Sequence, residues 1–272
     1  MLYLLNIIKL LYYILIKRNL YILRKYFFSR NFKINTFYSD HFLELKKNGY
    51  VIIKNFISTR DCELIIQDIE KFLIANKELT YHDNNYSDQR IHGAENISHK
   101  INSFYTNKLA IELGKYYYGG ELENLMTMAN KTIFVKDNKG SGGGWHRDGL
   151  NFQYKAILYL VQVNQNNGPF QLIAKSNSLL NIFKTCLKYN LDPFNTRIGN
   201  LAAEKIILNN RDLLKTITGL AGDLILVDTS LIHRGCPLNK DKRYALTNYY
   251  YPKNIINKYK KSFKPIVKQK YY

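Results

Sequence analysis

The chain has 272 residues, 46% of them apolar, enough for one sizeable core and compatible with a single all-β unit of this length. Its three cysteines, Cys62, Cys186 and Cys236, are far apart and in no C-x-x-C pair, which excludes a disulfide framework and a thiolate zinc site and suits a reducing, cytoplasmic setting. The net charge of +19 sits mostly at the ends: residues 1–40 hold seven Lys or Arg against one acid, and residues 253–272 hold seven Lys and no acid, so the 26 basic and 20 acidic residues between them net only +6 and argue against nucleic acid as a partner.

Residues 1–40 form a basic, apolar N-terminal arm. Its opening run, interrupted by Asn6 and Lys9, is shorter than the ~20 residues of a spanning helix and lacks the small residues of a cleaved signal. On a helical wheel of ~100° per residue, Lys9, Lys17, Arg18, Arg24 and Lys25 fall in one half, with leucines, isoleucines and tyrosines in the other. Two readings stand side by side: a helix lying on an anionic membrane surface through residues 1–30, or a terminal helix packed on the domain or on a second subunit.

From residue 41 the pattern is that of one unit. A short helix precedes a turn at Asn48-Gly49, a strand covers Tyr50 to Lys54, and a helix capped by Ser58 or Thr59 carries Cys62, Ile65, Ile66, Ile69 and Leu73 at helical spacing. Residues 79–103 are polar, hold His82, His92 and His99, and predict an irregular exposed loop or lid. Strand signals then dominate in "KTIFVK", "AILYLVQV", "GPFQLIA", "DLILVD" and "RYALTNYYY", broken by one helical insertion over about residues 179–214. Strands separated by turns predict an antiparallel barrel or sandwich, mainly β with flanking helices. The C-terminal residues 253–272 predict a solvated basic tail, partly disordered.

Chemistry concentrates at "GGGWHRDGL". Residues i and i+2 of a strand share a face, so His146 and Asp148 can reach one ion, and "DLILVDTSLIHRG" supplies His233 just after another strand. Two imidazoles and a carboxylate occupy one face of an octahedron and leave three positions open, as in non-haem Fe(II) oxygenases; a closed structural zinc site wants four ligands. The glycines at 142–144 predict a mobile loop at the mouth of the site, with Trp145 beside the metal and Arg147 turned to solvent or a surface ion pair. Arg243 opens the strand after "CPLNKDK", which folds back beside the one carrying His233, so its guanidinium fork lies deeper in the same barrel with Ala245 and Thr247 on its face and suits a carboxylate. "KGSGGGW" lacks the Lys-Ser/Thr pair of a phosphate loop, and Cys236 reads as a small buried residue.

Together, "NGYVIIKNFIS", "WHRD", "LVQVNQNNGPFQLIAKSN" and "GDLILVDTSLIHRG" followed by Arg243 make residues 41–252 resemble the phytanoyl-CoA dioxygenase family of Fe(II)/2-oxoglutarate-dependent oxygenases. The resemblance implies a double-stranded β-helix (jelly-roll, cupin-like) core. It implies Fe(II) held by His146, Asp148 and His233, 2-oxoglutarate clamped by Arg243 with Asn130 as a further contact, and O₂ as co-reactant. Where the family usually reads Gly-Ser-His, this chain has Lys175-Ser176-Asn177. The activity implied is hydroxylation of a small molecule or lipid. Two alternatives are the same chemistry on nucleic acid, which needs a basic aromatic groove, and a non-catalytic metal-binding module at a membrane surface.

Overall fold

Asn48-Gly49 turns the chain out of helix α2 (Ser39–Asn48) into strand β1 (Tyr50–Ile53), with Gly49 at φ +80°, where a side chain would be strained. The computed structural model describes residues 2–13, 16, 20, 23, 26–27, 38–150, 153–209 and 211–262; much of the expected arm 1–40, and residues 263–272 of the expected tail, lie outside these. Ser58 caps α3 (Thr59–Ala75) by accepting from Asp61 N–H, and the helix buries Cys62, Ile65, Ile69, Phe72 and Leu73, with Ile66 only half-buried at the edge of that stripe.

The 79–103 segment departs from the irregular lid its polarity predicts. It holds β2 (Tyr81–His82), β3 (Asp88–His92) and the start of α4 (His99–Tyr105), and it buries Ile91, Ala94 and Ile101 completely. The reason is pairing: β3 lies against β4 (Leu122–Ile133) over Asp88–His92, so its polar residues line a cavity on one side of the sheet while Ile91 enters the core on the other. His82 and His99 are exposed; His92 lines the cavity.

Among the described residues, ten strands build two facing sheets. The larger has the order β1-β8-β5-β10-β4-β3-β2, with β5 (Tyr154–Tyr159), β8 (Leu224–Asp228) and β10 (Lys242–Pro252) at its centre and every pair antiparallel. The smaller has the order β7-β6-β9, from β6 (Phe170–Ile173), β7 (Leu214–Ile217) and β9 (Ile232–Gly235). Tyr159, Ile225, Val227 and Ala245 of the first sheet pack against Phe170, Leu172 and Ile217 of the second. This is the jelly-roll core of a double-stranded β-helix. Alternation along β5 and β10 sends Lys155, Ile157 and Tyr159, and Arg243, Ala245, Thr247 and Tyr249, into the space between the sheets. Leu158 and Leu246, on the opposite faces, enter a second core under α3, α4 and α5 (Lys108–Tyr118).

Before β8, Gly222 at φ +91° passes so close to Ile57 that a Cβ there would stand 2.1 Å from its carbonyl oxygen, and Asp223 beside it is held by Lys54 Nζ at 2.8 Å and by the amides of Asn55 and Leu220. The Gly-Asp pair thus anchors β8 to the end of β1. The insertion forms α6 (Leu179–Tyr189) and α7 (Asn200–Leu208), and α1 (Leu2–Tyr12) packs on α6. Helix α8 (Ile256–Ser262) closes the described chain, and among the described residues no helix is long and apolar enough to cross a membrane.

Gly114 in α5 lies against the fully buried Tyr154, whose hydroxyl is fixed to Ala110 O at 2.9 Å. A Cβ at Gly114 would meet the ring at 2.5 Å. Gly114→Ala gains about 1 kcal/mol of helix propensity, but overpacking costs about 1–3 kcal/mol. The net, about 0–2 kcal/mol of destabilisation, lowers the melting temperature by up to roughly 8 °C, read by calorimetry; a higher value would show that the Tyr154 ring yields.

Candidate metal centre

Residues 145–148 form an extended segment captured from both sides. His146 N–H donates to His233 O at 2.9 Å, and His233 N–H returns to His146 O at 2.8 Å; Asp148 N–H donates to Thr229 O at 3.0 Å. On the other edge Arg147 N–H donates to Thr196 O and Ile198 N–H to Trp145 O. Alternation then sorts the side chains. His146 and Asp148 turn toward His233: His146 Nε2 lies 3.9 Å from Asp148 Oδ1, His233 Nε2 lies 4.0 Å from Asp148 Oδ2, and one ligand atom from each residue falls within 4.8 Å of the others.

Trp145 and Arg147 turn the other way, with results the sequence does not suggest. Trp145 does not sit beside the three ligand side chains; it packs with Ile173, Ile198 and Ile232 under the insertion, below the guanidinium of Arg234. Arg147 is buried rather than solvated and donates to the carbonyls of Ser176 and Ser230, and burial pulls its pKa down to about 10. The insertion covers this side, so a residue on the outer face of the segment is still inside the protein.

The donor set fits a divalent ion. In both histidines Nδ1 lies 2.8 Å from a carbonyl oxygen two residues earlier, Gly144 O for His146 and Leu231 O for His233. A carbonyl only accepts, so Nδ1 carries the hydrogen and each Nε2 keeps its lone pair for a metal. Burial keeps both rings neutral: it lowers the His146 pKa and drops that of His233 to about 3. Burial works against the charge of Asp148, yet the neighbouring Lys155 ammonium outweighs it and holds the carboxyl well below its ordinary range. Gly142, at φ +89°, passes so close that a Cβ there would stand 2.7 Å from His146 Cε1, which is why this loop takes glycine.

Lys155 carries no signature motif and escapes motif reading. From β5 it reaches Asp148 Oδ2 at 2.6 Å, an ion pair that lies off the line of a hydrogen bond, and its ammonium rests 4.3 Å from the centre of the Tyr249 ring. A single cation on the inward face of the strand "YKAILY", alternating with Ile157 and Tyr159, is the signal that marks it.

Deeper in the barrel Arg243 is buried. It donates from NH1 to Gly168 O and from NH2 to Asn130 Oδ1 at 3.3 Å, while its Nε meets no acceptor among the described residues. Asn130 in turn donates to Asp88 Oδ1 at 2.6 Å, and Asp88 takes both Nε and NH2 of Arg90. Arg243 and Asn130 thus share one hydrogen-bonded chain. A cavity of about 360 Å³ joins this chain to the three ligand side chains. Its size suits a small molecule, and the unmatched guanidinium donor suits a carboxylate. At Lys175-Ser176-Asn177, Lys175 adopts φ +60°, Ser176 Oγ accepts from Ile232 N–H, and Asn177 donates to Asp228 at 2.8 Å, so this turn ties into the strands on either side of the loop before His233.

A family model described as phytanoyl-CoA dioxygenase (PhyH) matches residues 45–244. Among solved structures, iron-bound EctD from S. alaskensis is similar with a TM-score of 0.61 and 13% identity over 80% of this chain and 77% of that one. The non-heme alpha ketoglutarate dependent epimerase SnoN from nogalamycin biosynthesis has a TM-score of 0.59 and 13% identity over 79% and 82%. HygX from Streptomyces hygroscopicus, with nickel and 2-oxoglutarate bound, has 0.57 and 12% over 81% and 88%. At these identities the likeness shows a shared fold. No curated protein matches by sequence.

The pH dependence of the metal-free protein follows from the histidines. His233 binds a proton less readily folded, near 3, than unfolded, near ~6.5, so between these values the unfolded state holds more protons and stability falls as pH drops through the window. Asp148, also lowered, adds the same sign below ~3.9. With chelator present, melting temperatures should decline from about pH 7 to about pH 4.5, and His233→Asn should flatten the decline. A wild-type curve flat across that range would show that the imidazole is not held neutral.

Proposed function

The chain belongs to the phytanoyl-CoA dioxygenase family, and from that membership we propose that it is an Fe(II)- and 2-oxoglutarate-dependent oxygenase that hydroxylates a small-molecule or lipid-like substrate. The observation that supports this most directly is the pairing of two sites in one cavity: two neutral Nε2 atoms and a carboxylate at one end, and a buried guanidinium with an unmatched donor at the other. In this reading His146, Asp148 and His233 hold Fe(II). Arg243, steadied by Asn130, takes the distal carboxylate of 2-oxoglutarate. When bound, the iron with 2-oxoglutarate and O₂ supplies the oxidising equivalents that cleave a substrate C–H bond, 2-oxoglutarate leaving as succinate and carbon dioxide.

The remaining work belongs to the chain's own residues. Lys155 pairs with Oδ2 of Asp148 and keeps the carboxylate ionised and ready to bind a cation. The Gly144 and Leu231 carbonyls hold the two imidazoles in one tautomer. Ile157, Phe170 and Ala245 exclude water around the reacting groups. The substrate enters on the side of Thr196 and Arg197, which with Gly142 form the outer rim. Because SnoN is an epimerase, the shared fold accommodates more than one outcome, and hydroxylation is read by product mass.

Three measurements test the reading. His146→Ala, Asp148→Ala and His233→Ala should each lose most Fe(II) binding and all 2-oxoglutarate-dependent succinate release, with folding retained. Arg243→Ala should keep Fe(II) affinity and require a higher 2-oxoglutarate concentration. Removing an arginine from a desolvated carboxylate costs about 2–5 kcal/mol, a rise of roughly 30-fold to several-thousand-fold. Arg243→Lys should recover only part, since an ammonium cannot make two parallel bonds. Succinate release unaffected by any of the three metal-site variants, or an unchanged 2-oxoglutarate requirement in Arg243→Ala, would reject the assignment. A metabolite and lipid extract screened for a 2-oxoglutarate-dependent product heavier by one oxygen tests hydroxylation.

A further inference from the structure

Asp148 is the only acid among the described residues that line the cavity, and two cations have a claim on it. Lys155 Nζ lies 2.6 Å from its Oδ2, and an ion shared by His146 and His233 needs the same carboxylate. Two neutral imidazoles and a carboxylate by themselves offer an ion one negative charge. Here the ammonium cancels that charge, so the donor set as a whole is neutral. The other charged side chains on the cavity wall are Arg90, Arg147, Arg197 and Arg243, and of these only Arg90 has a carboxylate partner among the described residues.

The ammonium is also fixed in place. Lys155 is buried on a central strand of the larger sheet, directly opposite Tyr249 of β10, and its Nζ rests 4.3 Å from the centre of that ring. A charge held in such a place is screened far less than one in water, and a like charge brought near it meets most of its field.

We propose that Lys155 sets the charge that the metal centre accepts: its ammonium disfavours a trivalent ion relative to a divalent one, and so raises the reduction potential of bound iron and holds it as Fe(II). The inference rests on the metal-site part of the proposed function, iron held by His146, Asp148 and His233, and uses none of the 2-oxoglutarate chemistry. Oxidation adds one unit of positive charge to the ion beside a cation that cannot leave, which shifts the ratio of the two states on the order of tenfold to a hundredfold. Lys155 acts here through Asp148 and the field, as a positioning residue, and touches no reacting atom.

A redox titration of the iron-loaded full chain tests it, with dithionite as reductant, ferricyanide as oxidant, a soluble mediator, and the ferric electron paramagnetic resonance signal as readout. Lys155→Gln keeps a polar head beside Asp148 without the charge, Lys155→Met removes both, and Lys155→Arg keeps the charge. The potential should fall by roughly 60–120 mV in Lys155→Gln and Lys155→Met, which is the tenfold to hundredfold shift at ~59 mV per decade for one electron. Lys155→Arg should stay near the wild type, and zinc(II) should still bind to all three variants. An unchanged potential in Lys155→Gln and Lys155→Met, or the same fall in Lys155→Arg, would overturn the proposal. So would loss of zinc(II) binding in both charge-free variants, which would make Lys155 a builder of the site rather than a tuner of its charge. A wild type that takes up no iron would instead reject the metal-centre reading, and the inference with it.

Discussion

The reciprocal backbone hydrogen bonds between His146 and His233 are the constraint on which the site depends. They join a segment that follows a glycine loop to a strand of the smaller sheet, far apart in the chain, and fix the two imidazoles with ring centres 4.3 Å apart. Asp148 is set by the same register through Thr229. Because side chains alternate, this pairing also decides what lies behind the site: Trp145 packs on Ala203 and Ile206 of α7, and Arg147 is held by the carbonyls of Ser176 and Ser230.

Four cations are buried in and around the barrel, and each is satisfied differently. Arg147 is capped by two carbonyls, Arg90 is matched by Asp88, and Lys155 by Asp148 with the Tyr249 ring over its ammonium. Arg243 has partners at NH1 and NH2 but not at Nε. A buried donor left unmatched costs free energy that a bound acceptor returns, so the Arg243 guanidinium, incomplete at Nε among the described residues, suits an anion.

The insertion between β6 and β7 does double duty. Its inner residues Ile198, Ala203 and Ile206 close the core behind Trp145, and its first helix carries α1 on the opposite side. One element therefore supports the site from behind and seats α1. A change of packing in α6 reaches both.

Much of this was legible in the sequence because it depends on near neighbours. The i, i+2 spacing of His146 and Asp148, the strand before His233, the glycine loop, the Ser58 cap and the apolar stripe of α3 are local patterns whose meaning survives any tertiary arrangement. The inward face of Arg243 with Ala245 and Thr247 follows from alternation, but its place does not follow from a hairpin: the strand after His233 crosses to the larger sheet and pairs with β4 and β5, while β9 pairs with β6 in the smaller one. Burial of polar residues was not legible, because it is decided by which distant segment arrives. Residues 79–103 read as a polar loop since their strands are short and pair with β4. Arg147 read as solvated since the carbonyls that hold it, Ser176 O and Ser230 O, come from distant parts of the chain. Lys155 became part of the site only when β5 brought it to Asp148, and α1 turned its polar side inward only because Asn190 and Asp192 were there to receive it.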